Sequence, residues 1–327
     1  MHAVILRQFG GPEHLALEEV AKPTASSGQV LVRIRASAVN PVDVKIREGL
    51  PIGPALPAVL GADFSGVVES VGPDVLQFNP GDAVYGCAGG VKGHGGSLAQ
   101  FMAADARLLA LKPRTLSFRD AAALPLVAIT AWEAVERAQV KQHDVILVHG
   151  GVGGVGHVAV QLAKWKGAEV SASVGADEDF ELVRSLGAKH ALNYKTERVE
   201  DYVNRITGGR GFDAVIDTAG AGNLIKSFEA AAIGGQVATI NARTSVDLSN
   251  MHAKALSLHL VFMLLPMLRG SGRERHGWIL SQVANLVDAG HIRPLLDPTR
   301  FTLKTAADAH RLLGSGNAKG KIVVDIE

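Results

Sequence analysis

Three glycines near the middle of the chain have the spacing of a phosphate-binding turn. The segment VILVHGGVGGVG at 145–156 places Gly151, Gly153 and Gly156 in the pattern G-x-G-x-x-G. Glycine is needed there for a tight turn, for close approach of the backbone to a pyrophosphate, and for close packing of a helix on a strand. A helix that follows offers its first N–H groups and the positive end of its dipole to the anion. The spacing therefore indicates dinucleotide binding.

The elements around this turn are those that a dinucleotide site requires. A strand is predicted at 145–148, a helix at 158–165 and a second strand at 169–174. A glycine-rich turn can also serve only to reverse the chain. The order strand, turn, helix and strand favours the nucleotide site over that alternative.

Strand and helix continue to alternate beyond the second strand. The further elements predicted are a helix at 179–186, a strand at 191–194, a helix at 200–206, a strand at 214–217, a helix at 224–232 and a strand at 236–240. This alternation predicts a parallel, doubly wound sheet.

The first third of the chain has a different pattern. Residues 30–39 alternate apolar with charged side chains, as a half-buried strand does, and further strands are predicted at 64–71 and 83–85. Short strands with frequent glycine and proline turns predict a small β-barrel. A β-rich run at 321–326 is expected to return to this barrel.

The pattern changes near residue 117. Helices are predicted at 117–123, with a capped start, and at 129–138. The length of the chain favours two domains. We predict a β-barrel domain formed by 1–120 and 266–327, interrupted by a dinucleotide-binding domain at 121–265.

Composition is that of a globular protein. Of the 327 residues 47% are hydrophobic and 20% charged, and the formal net charge is +1, which gives no basis for binding nucleic acid or an anionic membrane. The single cysteine, Cys87, cannot form an internal disulfide. The apolar run at 255–268 contains His259 and Pro266 and is too short to span a bilayer. The first residues lack the shape of a signal peptide, so we expect a cytoplasmic protein.

Seven segments resemble those of the medium-chain dehydrogenases/reductases, and in particular their zinc-free quinone oxidoreductase and enone reductase branch. The segments are SAVNPVDVKIREG at 37–49, LGADFSGVVESVG at 60–72, GDAVYG at 81–86, GGSLAQF at 95–101, LPLVAITAWEAV at 124–135, the glycine turn, and GKIVVDI at 320–326. The resemblance extends over essentially the whole chain. It implies an α/β fold with a chaperonin-10-like β-barrel catalytic domain and a doubly wound Rossmann nucleotide-binding domain.

Two positions that hold metal ligands in zinc-dependent members differ in this chain. Asn40 stands where those members have a cysteine, and Ala62 stands where they have the histidine of a Gly-His-Glu motif. An amide and a methyl group cannot build a zinc site. The four-cysteine zinc loop is also absent, and Cys87 and His94 lie in a glycine-rich stretch with no obvious third ligand. We therefore expect no zinc.

The expected lack of zinc bears on the reaction. Without a Lewis acid, oxidation of an alcohol is disfavoured. Hydride addition to a conjugated carbonyl is less demanding, because the charge that develops on the carbonyl oxygen needs only hydrogen-bond donors. The resemblance implies the same class of small-molecule acceptors, which are quinones, 2-alkenals and enones, with a reduced nicotinamide as donor.

Asn40, Asp43 and Lys45 are the candidate catalytic residues. The resemblance places Asn40 near nicotinamide and substrate, where its amide N–H could donate to the substrate oxygen; it could equally organise the turn before Pro41. Asp43 is expected to anchor local backbone or pair with a cation. Lys45 is either a donor to the enolate or a solvated surface lysine. Some enone reductases have lysine here whereas other relatives have tyrosine, which favours enones and alkenals.

The cofactor residues are assigned by the glycine turn and by the resemblance. The phosphate cradle is expected at Val152, Gly153, Gly154, Val155 and Gly156. The hydroxyl of Thr130 is expected near the nicotinamide, or else as a helix N-cap. Asn241 is expected to line the nicotinamide pocket, or else to form a simple turn at a strand end.

The choice between NADPH and NADH depends on the end of the second strand. An acidic residue there would bind the ribose hydroxyls of NADH, but this chain has Gly175. Tyr194 matches a tyrosine that contacts the phosphate in NADPH-dependent members, and Lys195 is adjacent. The acidic residues at 177–179 would oppose a phosphate. We expect NADPH, with NADH possible.

Three alternatives have distinguishing features. A short-chain dehydrogenase would need a Tyr-x-x-x-Lys pair, and none of the three tyrosines has a lysine at that spacing. A nucleotide-binding sensor or structural protein of the same fold would bind the cofactor without turnover. A zinc alcohol dehydrogenase would need the missing ligands. Because relatives dimerise through a sheet edge, the run at 255–265 is expected to form a homodimer contact or to be buried within the monomer.

Overall fold

The computed structural model describes all 327 residues. Its strands are β1 (His2–Leu6), β2 (Leu15–Glu19), β3 (Gln29–Val39), β4 (Ala58–Val59), β5 (Asp63–Val71), β6 (Ala83–Cys87), β7 (Phe101–Asp105), β8 (Leu109–Leu111), β9 (Val145–His149), β10 (Glu169–Val174), β11 (His190–Asn193), β12 (Phe212–Asp217), β13 (Ala231–Thr239), β14 (Ser257–Leu260), β15 (Phe301–Thr302) and β16 (Ile322–Asp325). Its α-helices are α1 (Pro41–Arg47), α2 (Phe118–Ala122), α3 (Pro125–Arg137), α4 (Gly156–Trp165), α5 (Phe180–Ser185), α6 (Val199–Thr207), α7 (Leu224–Ala230), α8 (Ser249–Ala253), α9 (Leu265–Arg269), α10 (Glu274–Asp288) and α11 (Ala306–Ser315).

The chain divides into two compact units. The first comprises Met1–Leu126, Leu264–Gly290 and Pro294–Glu327, and the second comprises Val127–Met263 and His291–Arg293. The structure thus changes unit after residue 126, where the sequence predicts a change after 120, and again after 263, where the sequence predicts 265.

The first unit is built mainly from antiparallel strands around β3. This strand pairs with β5, β7 and β16, and β6 and β8 continue the sheet beyond β5. Its central residues alternate as expected, since Val32 and Ile34 are buried while Arg33 and Arg35 are exposed. Strand β1 pairs with β2 and β4 in a smaller sheet. The apolar positions of β3 therefore face the interior of the unit.

The second unit contains a six-stranded sheet in the order β11-β10-β9-β12-β13-β14, in which all pairs are parallel. The order reverses between β9 and β12, which is the place where doubly wound folds bind dinucleotides. Buried residues of β12, α6 and α7 pack together, including Phe212, Tyr202 and Phe228. The predicted fold class, a β-barrel domain with a doubly wound parallel sheet, is confirmed.

The ends of some elements differ from the sequence prediction. Strand β13 begins at Ala231, inside the helix predicted at 224–232, because α7 ends at Ala230. The apolar run at 255–268 contains both β14 and the start of α9. None of the helices is long and apolar enough to cross a lipid bilayer.

Candidate functional site

The carboxyl edge of the parallel sheet brings together residues that are distant in sequence. Each of these residues comes directly after a strand: Gly150 after β9, Gly175 after β10, Tyr194 after β11 and Thr218 after β12. Ligands of open α/β sheets bind at this edge, next to the place where the strand order reverses. The sheet therefore positions the glycine turn and the end of the second strand at one edge.

Glycine is sterically required in the turn between β9 and α4. A Cβ atom at Gly156 would lie 2.0 Å from the carbonyl oxygen of Gly150. A Cβ at Gly151 would lie 2.7 Å from Val183 and 2.8 Å from Ala172. Gly150 itself has φ +73°, a conformation that side chains disfavour. The predicted roles of glycine in packing and turning are thus visible in the geometry.

The backbone N–H groups of the phosphate cradle differ in their hydrogen-bond partners. The N–H of Gly153 donates to the carbonyl oxygen of Gly150 at 2.9 Å, so Gly153 shapes the turn. Helix α4 begins at Gly156, and the first N–H groups of a helix have no partner within it. Val152, Gly154 and Val155 lie just before that helix and stay the predicted phosphate contacts.

Substitution of Gly156 by alanine is expected to weaken dinucleotide binding by about tenfold or more. The new Cβ must displace the Gly150 backbone by more than 1 Å. A displacement of binding groups by that distance has effects of this size. Titration with NADPH, followed by the fluorescence of the reduced nicotinamide, measures the effect. Gly222→Ala is the matched control, because no atom lies within 4 Å of its new Cβ. Equal affinities of the two variants would contradict this role of Gly156.

Thr130 and Asn241 belong to the same unit. Thr130 is 4% exposed and lies inside α3, so the alternative that it is a helix N-cap is wrong. Asn241 follows β13, and its carbonyl oxygen accepts from the N–H of Ala221 at 2.9 Å. Nicotinamide contacts of both residues stay predictions.

A phenol and an ammonium group lie beside Gly175 at the end of β10. A Cβ atom at Gly175 would be 3.2 Å from Tyr194 Oη and 3.6 Å from Lys195 Nζ. The N–H of Tyr194 donates to the carbonyl oxygen of Val174 at 3.2 Å, which fixes the turn after β11 against the end of β10. Space without a side chain, next to a cation and a phenolic donor, suits an anionic group.

In the first unit, Asn40 is at the centre of a buried polar cluster. Asn40 is 0% exposed and precedes α1. Its Nδ2 donates to Asp63 Oδ2 at 2.9 Å, and its Oδ1 accepts from the ammonium of Lys321. Lys321 Nζ also lies 3.5 Å from Asp63 Oδ2. Lys321 was not among the predicted residues, although it stands in the segment GKIVVDI that carries part of the family resemblance.

The two carboxylates of this cluster differ in their partners. Asp63 accepts from Asn40 and from the N–H of Leu126, the latter at 2.8 Å, and pairs with Lys321. Asp43 accepts from the backbone N–H of Asn40 at 2.8 Å, while its Oδ1 is buried without a partner. Asp43 therefore contacts local backbone, one of its two predicted roles.

Burial raises the pKa of both carboxyl groups. It raises the pKa of Asp43 to about 7, against the lowering effect of the Asn40 N–H, and the negative charge of Asp63 adds to the rise. Burial also raises the pKa of Asp63, opposed chiefly by the Lys321 ammonium. Asp63 has more partners than Asp43, and the Lys321 ammonium favours its ionised form against the effect of burial.

The surroundings of Asn40, Cys87 and His94 do not suit these residues to hold zinc. Asn40 Oδ1 already accepts from the Lys321 ammonium, whose positive charge would repel a divalent cation. Burial raises the pKa of the Cys87 thiol, which disfavours the thiolate that zinc requires. His94 Nε2 lies 3.3 Å from the carbonyl oxygen of Met267. The structure has no group of three or more His, Cys, Asp or Glu placed to hold a metal ion.

Lys45 lies on the exposed side of α1, whereas Asp43 and Ile46 of the same helix are buried. This position agrees with the alternative of a solvated lysine. The role of Lys45 as a donor to the substrate stays a prediction. The same holds for Asn40, whose amide donates one N–H to Asp63 and has one further N–H.

Comparison with known proteins assigns the family. Residues 26–114 match the model of the alcohol dehydrogenase GroES-like domain, and residues 186–324 match that of the zinc-binding dehydrogenases. The chain is 34% identical to the NADPH-dependent alkenal/one oxidoreductase of Arabidopsis thaliana, over 99% of this chain and 79% of the relative. It is 32% identical to the quinone oxidoreductase of Rattus norvegicus, over 99% and 97% of the two chains. The chain belongs to the medium-chain dehydrogenase/reductase family.

A solved structure supports the same assignment. An alcohol dehydrogenase superfamily protein from Novosphingobium aromaticivorans superposes with a TM-score of 0.96 at 41% identity, covering 100% of both chains. The expected chaperonin-10-like domain, also called GroES-like, is thereby confirmed together with the Rossmann domain. This member of the medium-chain dehydrogenase/reductase family is an oxidoreductase with a site for NAD(P)H.

Proposed function

We propose that this oxidoreductase transfers hydride from NADPH to the conjugated carbonyl system of an enone, a 2-alkenal or a quinone, without a metal ion. The observation that carries the proposal is the cluster of Asn40, Asp63 and Lys321, in which an ammonium group is bound beside the position of a zinc ligand in metal-dependent relatives. The names of the relatives, alkenal/one oxidoreductase and quinone oxidoreductase, support this class of acceptor.

NADPH, when bound, supplies a hydride to the electrophilic β-carbon of an enone or 2-alkenal. The C=C π bond then shifts, and negative charge develops on the carbonyl oxygen. The second N–H of the Asn40 amide donates to that oxygen, since the first donates to Asp63. A proton from solvent completes the saturated product. With a quinone, hydride and proton give the hydroquinone.

NADPH is proposed over NADH because of the groups around Gly175. No acidic side chain follows β10 directly, and Tyr194 Oη and Lys195 Nζ lie beside the space above Gly175. A 2′-phosphate is an anion that accepts from both groups. The NADPH dependence in the name of the Arabidopsis relative supports the same choice.

The oxidation of NADPH and NADH should be compared with 1,4-quinones, 2-alkenals and cyclic enones, each with and without a chelator. We expect turnover that is insensitive to the chelator and faster with NADPH and with an alkenal or enone. Loss of activity on chelation and its return with zinc, or a strict preference for a saturated aldehyde or alcohol, would contradict the proposal. Tight NADPH binding without turnover of any acceptor would instead favour the alternative of a nucleotide-binding sensor or structural protein. The names of the relatives do not favour that alternative.

A homodimer is proposed through the edge of the parallel sheet. Strand β14 is one of the two edge strands of this sheet, and Leu260 at its end and Phe262 just beyond it are 55% and 46% exposed. Edge strands with exposed apolar side chains pair readily with a second copy. Light scattering is expected to give about twice the chain mass of 34.2 kDa, and a mass of one chain would contradict the dimer. The cytoplasm is the proposed compartment, in agreement with one buried free cysteine.

A further inference from the structure

The amide side chain of Asn193 connects the two loops that flank Gly175. Asn193 ends β11 and is 7% exposed. Its Nδ2 donates to Asp177 Oδ1 at 2.7 Å, and its Oδ1 accepts from the N–H of Lys195 at 3.0 Å. Because donor and acceptor ends of the amide are both engaged, its orientation is fixed.

The backbone of Asn193 closes the turn that carries Tyr194 and Lys195. Its carbonyl oxygen accepts from the N–H groups of Thr196 at 3.2 Å and Glu197 at 2.9 Å. Its own N–H donates to Glu197 Oε1 at 3.1 Å. The turn therefore holds its shape through residue 193, whose side chain also reaches the loop after β10.

Asp177 is the acidic group whose position matters for the cofactor. It lies two residues beyond Gly175, close to where an acidic side chain binds the ribose hydroxyls in NADH-dependent folds. A carboxylate that moved toward this place would repel a 2′-phosphate and accept from a 2′-hydroxyl. The hydrogen bond from Asn193 keeps one of its oxygens at the end of β11 instead.

We propose that Asn193 is a positioning residue for cofactor selection: it restrains the Asp177 carboxylate and fixes the turn of Tyr194 and Lys195, so that the site favours a dinucleotide with a 2′-phosphate. The inference rests on the proposed use of NADPH. It adds a residue that touches no expected part of the cofactor and acts through Asp177 and the backbone of Lys195.

The test measures the ratio of the Kd for NADH to the Kd for NADPH by fluorescence titration, which needs no turnover. Asn193→Ala is expected to lower this ratio about five- to tenfold, because the released Asp177 carboxylate repels the phosphate and accepts from the ribose hydroxyl, a coupling of about 1–1.4 kcal/mol. In the background of Asp177→Ala, the substitution is expected to change the ratio less than about twofold.

A second pair of variants covers a failure of Asn193→Ala to fold. Asn193→Asp keeps an acceptor for the Lys195 N–H but places two carboxylates against each other, so it is expected to lower the ratio. Adding Asp177→Asn exchanges donor and acceptor, leaves the net charge as in the wild type, and is expected to restore the ratio. Both effects support the proposal.

Two results would overturn the inference. One is an equal loss of affinity for NADH and NADPH in Asn193→Ala, which a merely structural role predicts. The other is a ratio that stays low in the exchanged pair. Failure of the proposed hydride transfer is distinguishable from failure of this inference, because it would appear as cofactor binding without turnover. A wild-type ratio at or below one would refute NADPH selection and this inference together.

Discussion

Replacement of Lys321 by methionine is expected to destabilise the protein by about 3–5 kcal/mol, the range for removal of one partner from a buried ion pair. Lys321 is 3% exposed, and its ammonium is bound to Asn40 and Asp63, both 0% exposed. Without this cation, the ionised Asp63 has no positive charge to offset its burial. Denaturant unfolding, compared with the wild type, measures the loss.

The double variant Lys321→Met with Asp63→Asn separates charge from packing. With both charges removed, we expect recovery of most of the lost stability, since an uncompensated charge no longer lies in the interior. Lys304→Met, at an exposed lysine, is the matched control and is expected to lie within about 0.5 kcal/mol of the wild type. A loss of less than about 1 kcal/mol in Lys321→Met would show that the cluster does not depend on this cation.

The parallel sheet and its turn could be predicted because their signals are local. Strand β10 has the predicted bounds, and β9 and α4 differ from theirs by one or two residues. A short apolar run, a glycine turn and a periodic helix follow each other within one stretch of chain, and each constrains the next. The fold class therefore followed from neighbouring residues.

The polar cluster could not be predicted in the same way. Lys321 and Asn40 are 281 residues apart, and β16 brings them together by pairing with β3, where Ile322 lies opposite Val39. The pairing partner of a short β run such as 321–326 has no local sequence signal. A lysine between a glycine and an apolar strand was the one clue, because a charged residue so placed needs a buried partner.

The contact between Asn193 and Asp177 depends on register in the same sense. Val174 lies opposite Asn193 in the parallel pair of β10 and β11. This register sets the loop after β10 beside the turn after β11. From the sequence alone, an acidic cluster is expected at 177–179 close to a tyrosine and a lysine. The sequence does not indicate which of these carboxylates is hydrogen-bonded. The restraint on Asp177 became visible only with both loops in place.

The stability of the protein is expected to fall from acidic toward neutral pH through Asp43, and Asp43→Asn should abolish that part of the fall. Burial raises the pKa of Asp43 from its usual 3.8 to about 7 in the folded protein. The folded state therefore holds a proton that the unfolded state has already released between these two values. Stability linked to this group is complete below the unfolded pKa and is lost as the pH rises through the folded pKa.

The expected size follows from the width of that window. From about pH 4.5 to pH 8 the wild type should lose about 3 kcal/mol relative to Asp43→Asn, at about 1.4 kcal/mol for each pKa unit. The asparagine keeps an acceptor for the Asn40 N–H. Like the protonated acid, it places no charge beside Asp63. Unfolding free energies of both proteins across this range measure the difference.

Other buried titratable groups do not obscure this comparison. Burial lowers the pKa of His149 to about 4 and that of His310 to about 3, so both oppose folding as the pH falls below the usual histidine range. Their contributions are the same in the two proteins and cancel in the difference. A constant difference across the range would mean that Asp43 is ionised throughout. A widening difference would establish that the Asp43 carboxyl group is protonated in the folded protein at the acidic end of the range.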